Sequence, residues 1–321
     1  MGSGENRVHI VVSDEHGWVF VGIYDGFNGT DAADFLVNNL YSNVFNELKG
    51  FLWNDKLEIY YDSTKNGTVP LENSGVMWES FVQNQEFDEK LNNLGTNGVV
   101  AIANFDVLKA LSEALRKTEA SYLEMADTMM KENPELALMG SCVLVMLLND
   151  KDVYLMNEVL RIRSEHLDDA SVIPNDRVKG SLKVTRAFGA GYLKEPKWSN
   201  ALLEVFSIDY VGNSPYINCL PSLYHHKLSP RDRLLILSSD GFYQYITNEE
   251  AVSEVGSFMS IFPEGDPSQH LVEEVLFRAA KKVGMDFHEL LDIPPGDRRR
   301  YYDDVSIIII SFEGKIWKSS V

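Results

Sequence analysis

Apolar runs of strand character stand towards both ends of the chain, with stretches of helical spacing between them. His9-Ile10-Val11-Val12 reads as a strand, Asp14-Glu15-His16-Gly17 as a turn and Trp18 to Tyr24 as the antiparallel partner. Asp25-Gly26-Phe27-Asn28-Gly29 is expected to stop that second strand. A helix is expected from about Thr30, a candidate N-cap, because Ala33, Leu36, Val37, Leu40, Val44 and Leu48 recur at helical spacing. From about 50 to 98 the pattern dissolves into Asn, Gly, Asp and Ser, the composition of a polar surface insertion with little core of its own. Periodicity returns over about 106 to 131 with Leu108, Leu111, Leu115, Tyr122 and Met125 on one helical face. Cys142 to Leu148 is a buried strand by length and composition, Asn149-Asp150-Lys151 a turn, and Val153 to Met156 its partner. Residues 158 to 232 are too mixed to assign. Beyond them a strand is expected at Leu234 to Leu237, a helix near Thr247 with a capping-box start, a helix over about 269 to 283, and a closing strand from Val305 to Phe312. Hairpins with helices grouped between them favour α+β over a doubly wound α/β sheet.

Composition adds little until charge is counted. The 321 residues are 45% hydrophobic, enough to bury a core without disulfides or structural metal. A net charge of -19 argues against nucleic-acid binding, and the run Arg298-Arg299-Arg300 is too short to reverse that. The same charge repels phosphorylated substrates and disfavours nucleotide hydrolysis, so any phosphate-handling site needs local positive charge, with bound metal as its first source. Cys142 and Cys219 read as buried free thiols. No apolar run reaches membrane-spanning length and no signal-peptide core precedes Glu5 and Arg7. The expectation is a soluble, intracellular, monomeric protein.

Carboxylates recur at the ends of apolar strands: Ile23-Tyr24-Asp25-Gly26, Leu237-Ser238-Ser239-Asp240-Gly241 and Tyr302-Asp303-Asp304-Val305. Each Asp-Gly alone is an ordinary turn signal. A sheet that gathers these ends would collect carboxylates with no nearby Lys or Arg to neutralise them, an arrangement that requires cations. All-oxygen donors point to Mg²⁺ or Mn²⁺ and away from zinc. The carbonyl of Gly26 is accessible as a further ligand.

In order along the chain stand Asp25-Gly26-x-x-Gly29, Met139-Gly140-Ser141-Cys142, Leu182-x-Val184-Thr185-Arg186-Ala187-Phe188-Gly189, Ser239-Asp240-Gly241 and Asp303-Asp304-Val305-Ser306. This series resembles the motifs of the type 2C, metal-dependent Ser/Thr protein phosphatases. The wording from Tyr24 to Gly29 and from Arg177 to Trp198 resembles the plant poltergeist-like branch. The resemblance implies one catalytic domain over 1–321, built as a four-layer αββα sandwich. It also implies two Mg²⁺ or Mn²⁺ ions held by Glu5, Asp25, the Gly26 carbonyl, Asp240 and Asp303. Asp25, Asp240 and Asp303 are the catalytic residues it implies, and a water activated between the ions attacks phosphoserine or phosphothreonine in a protein substrate. It further implies a role in plant signalling, a cytoplasmic or nuclear location, and membrane association at the periphery.

Five departures qualify that implication. Phe27 stands where the family usually has His, a candidate general acid, although the poltergeist-like branch shares the Phe. Asn6 replaces an Asp after Glu5, Met1 falls where a phosphate-binding Arg is expected, and Ala190 replaces an Asp. After Asn157 the chain passes directly to Glu158, so a sheet strand and an acidic residue are expected to be deleted, leaving ladder groups open. These departures motivate an alternative: a catalytically impaired binding module for phosphoproteins or a kinase. Among weaker signals, Ser164-Glu165-His166 and His225-His226 read as surface or loop residues. Arg186 reads as a brace for the sheet, with contact to a phosphopeptide substrate as the alternative. Lys179, Lys183, Arg186, Lys194 and Lys197 read as an ordinary solvated basic face, with docking of acidic phosphopeptides or anionic lipid as the sharper reading.

Overall fold

The computed structural model describes residues 5–49, 98–157, 178–179, 182, 186–210, 214–294, 297–314 and 317, with the side chains of 98–103 outside that description. β1 (Arg7–Ser13) and β2 (Trp18–Phe27) form the expected hairpin. β2 does not stop at the Asp-Gly pair. Asp25, Gly26 and Phe27 continue it, paired with Cys142, Ser141 and Gly140 of β3 (Gly140–Asn149). Helix α1 (Asp31–Leu48) follows. Thr30 holds its N-cap position without a side-chain capping bond, and Asp31 and Asp34 supply the negative charge that its first turn favours. Helix α2 (Gly98–Thr128) starts ahead of the expected boundary, and the polar insertion lies outside the described residues.

β4 (Asp152–Asn157) pairs with β3, and β5 (Phe188–Gly189) and helix α3 (Pro196–Ala201) follow in the stretch the pattern leaves unassigned. β6 (Ser222–Lys227) pairs with β4 from Asp152↔Lys227 to Asn157↔Ser222. This corrects one expectation: the far edge of β4 is filled, so the junction at Asn157 leaves no open ladder there. Glu158 and the residues after it lie outside the described set. β7 (Leu234–Ser238), helices α4 (Asp240–Tyr243), α5 (Asn248–Ile261), α6 (Pro267–Val283) and α7 (Phe287–Asp292), and β8 (Ile307–Ser311) complete the order. The larger sheet runs β1-β2-β3-β4-β6 with β5 on β3, the smaller is β7-β8, and every strand pair is antiparallel. The fold is α+β.

Period-two alternation sets what each face touches. Trp18, Phe20, Tyr24, Val143, Val145, Leu147, Tyr154 and Met156 pack against Leu36, Leu40 and Val44 of α1 and Leu108, Leu111 and Leu115 of α2. The opposite face, with Val21, Ile23, Met146 and Val153, meets Leu235 and Leu237 of β7 and Ile308 and Ile310 of β8. The outer face of the small sheet, Leu234, Ile236, Ile307 and Ile309, packs under Ala251, Val255, Leu271 and Val275 of α5 and α6. The capping box expected at Thr247 is present, with Thr247 and Glu250 exchanging bonds at 2.9 and 3.2 Å. The ends of β2 and β7 therefore open on the same side of the stacked sheets, which places their carboxylates.

Cys219 is buried as expected, while Cys142 is only partly buried, and neither forms a disulfide. Among the described residues no helix is long and apolar enough to cross a membrane.

Candidate metal centre

Asp25 follows the buried run that ends at Tyr24 in β2, Asp240 opens α4 one residue beyond β7, and Asp303 and Asp304 precede β8. Their carboxyls meet. Asp25 is pushed up to about 8, first by burial, then by a hydrogen bond with Asp240 and the charges of Asp240, Asp303 and Asp304. Glu5, just ahead of β1, joins from the other end of the chain: its N–H donates to Asp304 Oδ2 at 3.0 Å.

The two glycines after the aspartates explain how the backbones come so close. A Cβ on Gly26 would lie 2.7 Å from the carbonyl oxygen of Glu5, and one on Gly241 would lie 2.6 Å from the carbonyl oxygen of Asp304. Neither has a positive φ. The Asp-Gly pairs are therefore close-approach sites and not turns, which corrects the simpler reading of each. Ser239 locks the second approach: its hydroxyl donates to Asp304 O at 3.2 Å and accepts from Ser306 N–H at 3.0 Å. Asp303 takes a bond from the N–H of Asp304 at 2.9 Å and one from Gln244 at 3.4 Å.

Every residue expected at the site, namely Glu5, Asp25, Gly26, Asp240 and Asp303, is thus brought to one place. Two further residues contribute: Asp304, which the sequence places among the strand-end carboxylates without a role, and Arg299, which the sequence reading misses. Asp304 holds Glu5, and Arg299 inserts a guanidinium, with Nη1 2.9 Å from Glu5 Oε2 and Nη2 2.8 Å from Asp304 Oδ2. The expectation that no cation lies near these carboxylates is corrected by Arg299. Its signal is the run Arg298-Arg299-Arg300, which composition alone tests only as a nucleic-acid patch.

The donor set suits hard cations. Burial and the neighbouring carboxylates favour the protonated form of Asp25, and the single positive charge of Arg299 offsets part of the charge of Glu5 and Asp304, so a proton and a guanidinium stand in for cation charge. Asn6 Oδ1 is buried beside them with no partner among the described residues, while its Nδ2 donates to Asp304 O at 3.3 Å. Among the described residues, no three His, Cys, Asp or Glu side chains are set for an ion as they stand. That agrees with carboxylates turned to one another and to Arg299.

Around the site, Phe27 lies among apolar side chains that include Leu138, Val178 and Leu182. Ala190 is fully buried with φ 49°, a left-handed position that Asp or Asn tolerates better than Ala. Arg186 braces, donating to Ser222 Oγ at 3.2 Å. The basic face dissolves on folding: Lys194 is buried on Glu119, Lys197 pairs with Asp127 at 3.0 Å and Lys179 lies over Tyr216. Lys183 and Ser164-Glu165-His166 fall outside the described residues. His225 and His226 lie on strand β6 and not in a loop, partnered by Asp152 at 2.7 Å and Asp232 at 3.1 Å.

Comparison with known proteins agrees with the motif order. Residues 138–285 match the family profile described as Protein phosphatase 2C. The chain is 53% identical to probable protein phosphatase 2C 23 of Arabidopsis thaliana across 99% of its own length and 61% of the relative's. It is 44% identical to probable protein phosphatase 2C 26 of rice, across 99% of its length and 68% of that protein. It therefore spans about three fifths of the Arabidopsis relative. That alignment runs over 397 positions, longer than this chain, so the relative carries segments absent here. A serine-threonine phosphatase 2C from Toxoplasma gondii shares the fold, with a TM-score of 0.53 at 15% identity over 96% of this chain and 90% of that one.

Proposed function

The chain belongs to the protein phosphatase 2C family, and from that premise we propose that it hydrolyses phosphoserine and phosphothreonine in proteins, using two Mg²⁺ or Mn²⁺ ions at its carboxylate cluster. The observation that carries this reading is the meeting of Asp25, Asp240, Asp303 and Glu5, drawn from distant parts of the chain onto an all-oxygen donor set. Asp25, Asp240, Asp303, Glu5 and the Gly26 carbonyl would hold the ions. When bound, such ions supply Lewis acidity to the phosphoryl oxygens and to an attacking water. Asp25 would release its proton on taking up that charge, and Asp304 fixes the backbone of Glu5 by accepting from its N–H. Gly26 and Gly241 keep the supporting backbones in contact. Phe27 has no proton to offer a leaving serine or threonine oxygen, so that proton comes from solvent, and loss of a positioned acid costs roughly 10²–10⁴-fold in rate.

The test is phosphate release from a phosphothreonine peptide in Mn²⁺, with and without EDTA, using Asp240→Asn as control. Turnover is expected in Mn²⁺, none in EDTA, and a loss of roughly a thousandfold or more in the variant. Equal turnover by Asp240→Asn overturns the reading. The apolar packing of Phe27 favours one alternative, an impaired relative that binds phosphoproteins or a kinase without efficient hydrolysis. Peptide binding that persists in EDTA, without phosphate release in Mn²⁺, would establish it.

A further inference from the structure

Of the three arginines in the run 298–300, only the middle one serves the carboxylate cluster. Arg298 ties its turn to the end of α7, donating to Ile293 O at 2.8 Å and Leu291 O at 3.0 Å. Arg300 is on the surface, 3.5 Å from Asp297. Arg299 reaches across the chain and divides its fork, one nitrogen to Glu5 and one to Asp304. A guanidinium does not deprotonate, so its charge stays at these partners unless the side chain itself moves away. Its side chain is 43% exposed against 18% for Glu5, so the arginine stands on the solvent side of the acid it covers. The anchoring of Arg298 to backbone carbonyls lets Arg299 swing out while the turn stays in place.

We infer that Arg299 is a built-in counter-ion: it occupies Glu5 and Asp304 in the metal-free protein and competes with divalent cation for Glu5, setting the cation concentration at which the site loads. This rests on the reading of the carboxylates as a cation site. The competition is direct, because Arg299 and an ion would draw on the same carboxylate of Glu5. It also has a structural return: with no metal bound, the guanidinium keeps the start of the chain attached to the segment before β8.

The test is calorimetric titration of Mn²⁺ into the full chain and its Arg299→Gln, Arg299→Lys and Asp240→Asn variants, with melting temperatures in EDTA and in Mn²⁺ alongside. Arg299→Gln should bind Mn²⁺ about fivefold more tightly, the worth of a partly exposed ion pair. It should also melt lower in EDTA and gain more from Mn²⁺ than the unaltered chain. Arg299→Lys keeps the charge without the fork and should fall between them, which preserves the test should the glutamine variant fold poorly. Mn²⁺ affinity unchanged or weakened in both Arg299 variants overturns the counter-ion role. Absence of Mn²⁺ binding in the unaltered chain, or equal binding by Asp240→Asn, overturns the cation-site reading itself.

Discussion

Lys194 and Asp25 are both ionisable side chains taken out of water, and the fold treats them in opposite ways. Lys194 is 6% exposed and fully matched: it pairs with Glu119 and donates to Ala187 O at 2.7 Å, while Glu119 also accepts from the N–H of Gly189. One positive charge meets one negative, and the result joins α2 to the segment after β5. At Asp25 the carboxyls of Asp240, Asp303 and Asp304 crowd in, and the guanidinium of Arg299 reaches only the Glu5 and Asp304 side. Matched burial makes a structural joint. Mismatched burial leaves a place that, under the proposed function, takes up charge from solution.

The contrast is open to direct attack. Lys194→Met leaves Glu119 buried and unpaired, and should destabilise by about 3–5 kcal/mol in chemical denaturation, in EDTA and in Mn²⁺ alike. Asp25→Asn should do the reverse in EDTA at pH 8, stabilising by on the order of 2 kcal/mol because a crowded carboxylate is removed, and the gain from Mn²⁺ should vanish with it.

The pH dependence sharpens the same point. Asp25 titrates at about 3.9 in the unfolded chain and at about 8 in the folded one. Between those values the folded state holds the extra proton, so metal-free stability should fall as pH rises through that window and level off above it. Mn²⁺ affinity should climb over the same range, since binding releases the proton. Melting in EDTA from pH 5 to 9 checks the first trend, and Asp25→Asn should flatten it. The smallest effect is expected from Thr247→Ala. It removes half of a capping box on the opposite side of the small sheet and should cost about 1 kcal/mol, with Mn²⁺ affinity unchanged in the same titration.

Much of this architecture is legible in the order of residues alone. The apolar runs of β2, β3, β7 and β8 mark these strands by length and composition, which are local properties of sequence. Carboxylates at the ends of those strands can be picked out for the same reason. Arg299 cannot be assigned that way, since its partner Glu5 is far away in sequence and nothing near either residue records the pairing. β6 escapes because Ser222-Leu223-Tyr224-His225-His226-Lys227 is a half-exposed edge strand with no clean apolar face. The Asp-Gly pairs are visible but ambiguous. A glycine required by a neighbouring backbone looks, in sequence, like a glycine required by a turn.

The bond from Glu5 to Asp304 spans 299 positions, and that separation has a meaning in time. At typical synthesis rates Asp304 leaves the ribosome roughly 15–60 s after Glu5. Throughout that interval the nascent chain can pair β1 to β4 and cover them with α1 and α2, yet Glu5 still lacks its arginine and its aspartate. The core can therefore mature before the site exists, and a chain interrupted late in translation would carry most of the fold and none of the chemistry.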